Sequence, residues 1–406
     1  MPSDSKIAYI LSKFPVLTET FIRREITELR KRGVDVEVFS LKNTNLVECS
    51  QKSAEELMNT THYFPYFFST KIWSALLFYF STEPVACFKI LTKILTTHIR
   101  NPVYLLKTLA VVPKGFAIAK ELKEQEINKI HAHWATIPTT AAWMVAKLNG
   151  SSFTFTAHAW DIYQIDVMLE DKLQDAAKVI TISEYNKRYL IQKYPKADPD
   201  KIRIIHCGVN LDIFIPHEVE EDDIFTILSV GRLTKKKGFD VLLRACDLLR
   251  DKKVPFKCKI VFVNGNYENE IFQLFQSLNL EGYVEFIPEL QQDKLINCYT
   301  EADCFVLPCV VADDNDRDGI PVVILEALAM ELPVVSTPIS GIPEVIVEGE
   351  TGLLVKSEDA HELAAAIQRL YNDPKLCETL GKAGRDIVKS EFDIPSNVKH
   401  LMESIL

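Results

Sequence analysis

"SVGRLTKKKGFDVLLRA" (229–245) reads as the end of a β-strand, a turn that carries Arg232 and Lys237 between Gly231 and Gly238, and the start of a helix. Two cations fixed beyond a strand can hold a diphosphate, Arg232 by paired hydrogen bonds and Lys237 as a mobile point charge. A lysine triplet alone reads as a solvated turn; the two glycines and the strand-to-helix context favour the anion reading. Around this stretch, "FTILSV" (225–230), "KIVFV" (259–263), "YVEFI" (283–287), "CFVLP" (304–308) and "PVVST" (333–337) read as strands, each separated from the next by a helix-length segment. Such alternation predicts a parallel sheet covered on both faces, whose ligands bind beyond the carboxyl ends of the strands.

The same alternation fills the first half. "KIAYIL" (6–11) is followed by an amphipathic segment with Ile22, Ile26 and Leu29 at helical spacing, a stop at Gly33, and "VDVEVFS" (34–40). "INKIHAHW" (127–134), an Ala-rich helical stretch (139–148), "SFTFTAH" (152–158) and "AAKVITIS" (176–183) continue it. The expected organisation is an α/β domain over 1–209 and a linker over 210–224, where a proline and a run of acids interrupt the pattern. A second α/β domain follows over 225–385, then a terminal helix over 386–406.

At 406 residues the chain is too long for one ordinary core. A formal net charge of −10 argues against nucleic-acid binding as the main activity. The nine cysteines are scattered and never spaced C-x-x-C, which suggests neither a disulfide framework nor a zinc site and points to a reducing cytoplasm. "MPSDSKIAYIL" (1–11) does not resemble a secretion signal, and no uninterrupted apolar run reaches the length of a membrane span. Residues 62–120 differ from the rest: six Lys and one Arg stand against Glu83 alone, interleaved with "YFPYFF" and "WSALLFYF". One reading is a helical insertion that packs its aromatics inward and solvates its lysines. The other is a surface for an anionic membrane. Both can hold on different faces.

A second constellation lies in "DRDGIPVVILEALA" (316–329). Pro321 suits the first turn of a helix, Asp318 precedes it and Glu326 lies within it. If most steps between the two acids are helical, their carboxylates are about 10 Å apart, comparable with a sugar and a ribose either side of a diphosphate. Carboxylates suit vicinal hydroxyls because they accept two hydrogen bonds in one plane. Asp318 as a simple helix cap and Glu326 on a solvated face remain the alternatives, but a carboxylate inside "VVILEALAM" needs a partner.

Together these segments resemble glycosyltransferase family 4, whose GT-B fold has two Rossmann-like α/β/α domains with parallel sheets facing an interdomain cleft. The resemblance runs through "SKFPVLTETFIRREITEL" (12–29), "IHAHWA" (130–135), "FTAHAWDIY" (155–163), "CGVN" (207–210), "GRLTKKKG" (231–238) and "DGIPVVILEALAMELPVVSTPISGIPEVI" (318–346). Within the family it is closest to enzymes that assemble bacterial exopolysaccharide and colanic-acid-like polymers. It implies a retaining transferase that moves a sugar from a nucleoside-diphosphate sugar to a saccharide or lipid-linked acceptor, without metal or cofactor. Arg232 and Lys237, with Gly231, would hold the donor diphosphate, and Glu326 the ribose. Asp318, where the family normally has Glu, would contact the transferred sugar beside Gly319, Ile320 and Pro321. His158 would touch that sugar from the first domain. Backbone N–H groups of a helix opening near Gly341 would face the phosphate, and Glu19 and Thr20 the phosphate or acceptor. Asn264, in "NGNYEN" where the family has a Gly-x-Gly-Pro-like turn, would lie near a base that is not named; "FIPEL" likewise departs from the family's Phe-x-Gly. His131 and His133 would support the interdomain wall, since a two-His metal site lacks a matching third ligand. The terminal helix would cross back to the first domain. Glu331 takes a helix-end position usually held by Gly, costing about 1–2 kcal/mol if left-handed. A nucleotide-sugar epimerase of the same fold and a non-catalytic sugar-binding protein are the alternatives; an NAD-dependent oxidoreductase would need a G-x-G-x-x-G turn, which is absent.

Overall fold

The computed structural model describes residues 6–16, 19–43, 57–65, 69–217 and 224–406. The acid run at 218–223, Leu17 and Thr18 of the stretch 12–29, and Cys49 lie outside the described residues. Two compact units are present: one of residues up to Ile182 with Asn186–Ile205 and Val398–Leu406, the other of Ser183–Tyr185 and His206–Asn397.

In the first unit, strands β1 (Lys6–Lys13), β2 (Asp35–Lys42), β3 (Thr61–Tyr63), β4 (Lys129–His133), β5 (Ser152–Ala157), β6 (Lys178–Thr181) and β7 (Ile202–Ile204) form a seven-stranded parallel sheet in the order β3-β2-β1-β4-β5-β6-β7. Ile7 to Leu11 are all buried, the near-continuous apolar run that a sheet covered on both faces requires. Helix α1 (Thr20–Lys31) lays Ile22, Ile26 and Leu29 on the core, and the chain turns after it at Gly33 with φ +81°.

The 62–120 region folds as α2 (Thr70–Thr82), α3 (Pro84–His98) and α4 (Pro102–Glu124), with Pro84 and Pro102 in first turns, where a missing N–H costs nothing. The axes of α2 and α3 bend by 110° at the break between them. Helix α4 is core only from Thr108 onward: Val111, Phe116, Ile118 and Leu122 are buried. The Nζ of Lys114, also buried, donates to the Leu41 carbonyl at 2.7 Å, and burial lowers its pKa to about 8. Helices α5 (Ile137–Asn149), α6 (Trp160–Tyr163), α7 (Leu169–Asp175) and α8 (Glu184–Lys193) connect the remaining strands.

The second unit holds β8 (Phe225–Arg232), β9 (Phe256–Val263), β10 (Val284–Pro288), β11 (Cys304–Leu307), β12 (Val334–Ser336) and β13 (Leu353–Leu354), parallel in the order β10-β9-β8-β11-β12-β13. Helices α9 (Phe239–Asp251), α10 (Glu268–Ser277), α11 (Gln292–Thr300), α12 (Val322–Ala329), α13 (Ala360–Asn372), α14 (Pro374–Glu391) and α15 (Ile394–Ile405) complete it, the residues of α15 from Val398 counting with the first unit. Each sheet has the doubly wound order, so the direction of winding reverses between β1 and β4 and between β8 and β11. Those two points are where side chains from separate strand ends converge.

Two expectations are corrected. Helix α12 starts at Val322 with Pro321 before it rather than in its first turn, so only the second half of the path from Asp318 to Glu326 is helical. The helix expected at Gly341 is one 3₁₀ turn, Ile342–Glu344, and the Gly341 N–H is engaged by the Gly319 carbonyl at 3.3 Å. Glu331 is left-handed, at φ +60°. Its carbonyl oxygen would lie 1.9 Å from a Cβ added at Gly381, so α14 packs directly on this backbone. Glu331 gains only a 3.7 Å approach to Arg385, so Glu331→Gly should stabilise the protein by about 1 kcal/mol. Thermal denaturation should show Tm rising about 2–4 °C.

Candidate active site

Strand β8 ends at Arg232, in register with Val263 of β9, and the chain then makes the 3₁₀ turn Lys235–Lys237. Gly238 closes that turn at φ +69°, and a Cβ there would lie 1.9 Å from the Pro308 carbonyl oxygen beyond β11. Only glycine satisfies both demands. The Val310 N–H donates to the Lys236 carbonyl at 2.9 Å, so the loops after β8 and β11 are tied together across the reversal point.

Asp318 sits in this tie. Its Oδ2 is 2.7 Å from Lys237 Nζ and its Oδ1 3.6 Å from Lys236 Nζ, which also reaches Asp316 at 3.1 Å. Burial raises the Asp318 pKa, but Lys237 and Lys236 outweigh it and hold the carboxyl below its ordinary value. For Lys236, burial works against the charge while Asp318 and Asp316 prevail, so its pKa is raised. Cys309 Sγ lies 3.7 Å from Asp318 Oδ2, and burial beside that carboxylate pushes the thiol pKa up. The sequence reading gave Lys237 and Asp318 separate partners; the structure makes them an ion pair.

Glu326, buried on α12, accepts from the Tyr299 hydroxyl at 3.2 Å, which supplies the partner its apolar surroundings demand. Gly319 is drawn to Gly341 by the bond above, and Ile320 and Pro321, which follow Gly319, are buried. Asn264 directly follows β9. Its neighbour Gly265 leaves room for the Leu233 carbonyl, which a Cβ would meet at 2.0 Å, and Tyr267 N–H donates to that carbonyl at 3.0 Å. The Asn264 loop therefore adjoins the turn that carries Lys235, whose Nζ lies 5.3 Å from the Tyr267 ring centroid.

In the first unit the register Tyr9↔His131 and His133↔Thr156 sets the side chains of β1, β4 and β5 in one cluster. Tyr9 donates its hydroxyl proton to Glu25 Oε1 at 2.8 Å, and the same oxygen is 3.0 Å from His133 Nε2. His133 Nδ1 in turn lies 3.1 Å from His158 Nε2, with the two rings within 22° of coplanar. A carboxylate only accepts, so the network places a His133 proton on Nε2, and the contact between His133 Nδ1 and His158 Nε2 carries a hydrogen bond that joins the two rings. Burial, reinforced by His133, lowers the His158 pKa well below its ordinary value, so this imidazole is neutral.

Glu25, His131 and His133 also offer three metal-ligand atoms within 4.8 Å of one another, so the third ligand that the sequence reading missed exists. Hydrogen bonds already engage these atoms: His131 meets Thr154 Oγ1 at 2.8 Å and Thr156 Oγ1 at 3.1 Å. The donor set is that of a hydrogen-bond relay.

Asp161 anchors the loop of His158 by accepting from Ala135 N at 2.7 Å, Ala159 N at 2.9 Å and His158 N at 3.0 Å. Buried Lys172 holds the preceding loop through the Ala135 and Thr136 carbonyls at 2.8 and 3.0 Å; burial lowers its pKa to about 7 against the pull of Asp161 and Asp171. Trp134, left-handed at φ +73°, and Phe21 flank His158 with ring centroids 4.5 and 4.7 Å away. Glu19 and Thr20 lie at the opening of α1, next to Phe21. Sequence reasoning missed Glu25, Asp161, Lys172, Lys236 and Asp316. Glu25 did leave a signal, three residues after Ile22 and four before Leu29, on the apolar face of α1.

Two family models match the chain: "Glycosyltransferase Family 4" over residues 18–213 and "Glycosyl transferases group 1" over 212–387. The putative colanic acid biosynthesis glycosyltransferase WcaL of Salmonella typhimurium is 34% identical over 200 residues, a match that spans 48% of each chain, about half the length of that relative. The amylovoran biosynthesis glycosyltransferase AmsK of Erwinia amylovora is 28% identical over 96% of each chain. Anabaena HepE, solved in complex with UDP, has a similar fold, with a TM-score of 0.71 and 15% identity over 98% of this chain and 99% of that one.

The Asp318 ion pairs are linked to stability. A carboxyl held below its unfolded value stabilises the fold above that value, about pH 3.9, and the contribution is lost as pH falls through the folded value. Lys237→Met leaves Asp318 with Lys236 alone and should cost about 1–3 kcal/mol at pH 7. Denaturant titrations should show that deficit shrinking as pH falls through the lowered Asp318 value and the carboxyl becomes protonated.

Proposed function

The chain belongs to the GT-B glycosyltransferases, and we propose that it moves a sugar from a nucleoside-diphosphate sugar to a saccharide or lipid-linked saccharide acceptor in cell-surface polysaccharide biosynthesis. The observation that carries this reading is the Asp318 carboxylate, ionised between Lys237 and Lys236 on loops that also present Arg232. A site with that composition offers cations to a diphosphate and an acceptor group to hydroxyls.

Breaking the bond from an anomeric carbon to a diphosphate leaves positive charge on the sugar and negative charge on the phosphate. Arg232 and Lys237 meet the phosphate charge, which is worth most where water is excluded. An arriving diphosphate replaces Asp318 as the partner of Lys237, and the carboxylate so released accepts from hydroxyls of the transferred sugar. Glu326, oriented by Tyr299, takes the ribose hydroxyls with its remaining lone pairs. The solved HepE complex with UDP supports a diphosphate donor of this class. The family resemblance supports retention of configuration: the acceptor hydroxyl attacks from the face that the phosphate leaves, and a phosphate oxygen takes its proton. Because Asp318 is engaged with hydroxyls, no enzyme carboxylate is assigned as nucleophile. His158 is assigned to contact the sugar, and Glu25 and His133 position it.

Labelled uridine and guanosine diphosphate sugars, incubated with the protein and a lipid-linked acceptor, should yield transferred sugar. Isomerised donor would indicate an epimerase, and retention without product a binding protein. Arg232→Ala and Lys237→Ala should each lower turnover by at least about 10³-fold with circular dichroism unchanged, whereas near-normal rates would remove the diphosphate assignment. Glu25→Gln, which removes the carboxylate facing His133 Nε2 and can donate to that nitrogen instead, should lower kcat about 10²-fold with KM within about twofold. Glu25→Asp should restore part of that loss.

A further inference from the structure

The first unit carries an apolar surface that its own core does not use. On α2, Trp73 and Leu77 are 59% and 71% exposed, one helical turn apart. On α3, Phe88 is 64% exposed; Ile99, directly after that helix, is 71% exposed, and Leu106 near the start of α4 69%. The Phe80 and Phe88 rings, 6.1 Å apart between centroids, join the face of α2 to that of α3. Helices rarely present large side chains to water in such succession.

The cations of this region divide into two sets. Lys71, Lys93 and Lys120 approach Glu121, Asp171 and Glu124 at 4.0, 2.6 and 3.5 Å, and Lys114 is buried. Lys89, Arg100 and Lys107 are exposed, and among the described residues no carboxylate lies within ion-pair distance of them. Glu83 is the one acid from residue 62 to 120. Exposed aromatic and aliphatic groups bordered by unpaired cations match the acyl boundary and headgroups of an anionic bilayer.

We propose that α2, α3 and the first turns of α4 dock on an anionic lipid surface, lying in the interface rather than crossing it. Helix α4 is long and apolar enough to span, with a mean hydropathy of 1.3, but half of that window is buried inside the unit, Lys114 with it. A spanning helix would have to surrender that core. A protein partner fits less well, because lysine is depleted from protein interfaces while anionic headgroups attract it. The proposal goes beyond glycosyl transfer, and its test needs no turnover.

The full chain should co-sediment with phosphatidylcholine vesicles containing about 30 mol% phosphatidylglycerol and remain in the supernatant with pure phosphatidylcholine. Replacing Lys89, Arg100 and Lys107 together by Glu should weaken partitioning by roughly 100-fold or more. The pair Trp73→Asp and Leu77→Asp should abolish it; all five side chains are exposed, and unchanged circular dichroism and Tm would confirm folding. In the wild type, brominated lipid should quench Trp73, measured as the difference from Trp73→Phe. The proposal is overturned if the wild type ignores anionic vesicles or if the charge-reversed variant sediments as the wild type does. It is also overturned if sedimentation velocity without lipid reveals a dimer that Leu77→Asp dissolves, since the surface would then belong to a second copy.

Discussion

A buried carboxylate that must remain charged constrains the whole of the second unit's site. Asp318 stays ionised because Lys237 and Lys236 stand within 2.7 and 3.6 Å of it, and those lysines can stand there only because Gly238 turns left-handed against the Pro308 carbonyl. The strand order puts β8 beside β11, the glycine lets their loops touch, and contact brings opposite charges together in a partly desolvated setting where their attraction outweighs burial. Each link is necessary to the next. The ion pair is also a store of preorganisation, since the groups that meet phosphate and hydroxyls are already assembled and only exchange partners.

The first unit solves a different problem at its own reversal point. Its residues between β1 and β4 are linked by hydrogen bonds: Tyr9, Glu25, His133 and His158 form one chain of donors and acceptors. Direction is the property such a chain transmits. Glu25 at one end holds a proton on His133 Nε2, and Asp161 and Lys172 fix the loops that hold the rings in reach. Trp134, held left-handed beside His158, marks the same place as one where backbone strain is tolerated.

The α/β class and ten of the thirteen described strands were legible because an apolar run between turn residues is a local pattern. The strands β3, β7 and β13 were not, since each is an edge strand of two or three residues, which pairs only because a neighbouring strand is present. Arg232, Lys237, Asp318 and Glu326 could be picked out from loop context and charge, but the Lys237–Asp318 pairing could not, because the two residues are brought together by sheet order rather than by spacing. The start of α12 was misplaced for a local reason: Pro321 fits either just before a helix or inside its first turn, and only tertiary packing chooses. Glu25 was overlooked although it lies on an apolar helix face, where a carboxylate invites the question of its partner.

Lysine shows best why residue type alone stops short of function. Lys172 and Lys114 point inward at backbone carbonyls, and burial lowers the pKa of each, so they act as anchors whose charge the fold discourages. Lys236 and Lys237 meet carboxylates at a strand reversal, where the pairing sustains charge for exchange with a ligand. Lys89 and Lys107 stand in water beside exposed apolar side chains, where neither burial nor a carboxylate claims them. Composition counts all six alike. The neighbours supplied by topology separate a structural tether from a phosphate ligand and both from a surface charge, so a basic stretch acquires meaning only when its individual ammonium groups have been followed to what they touch.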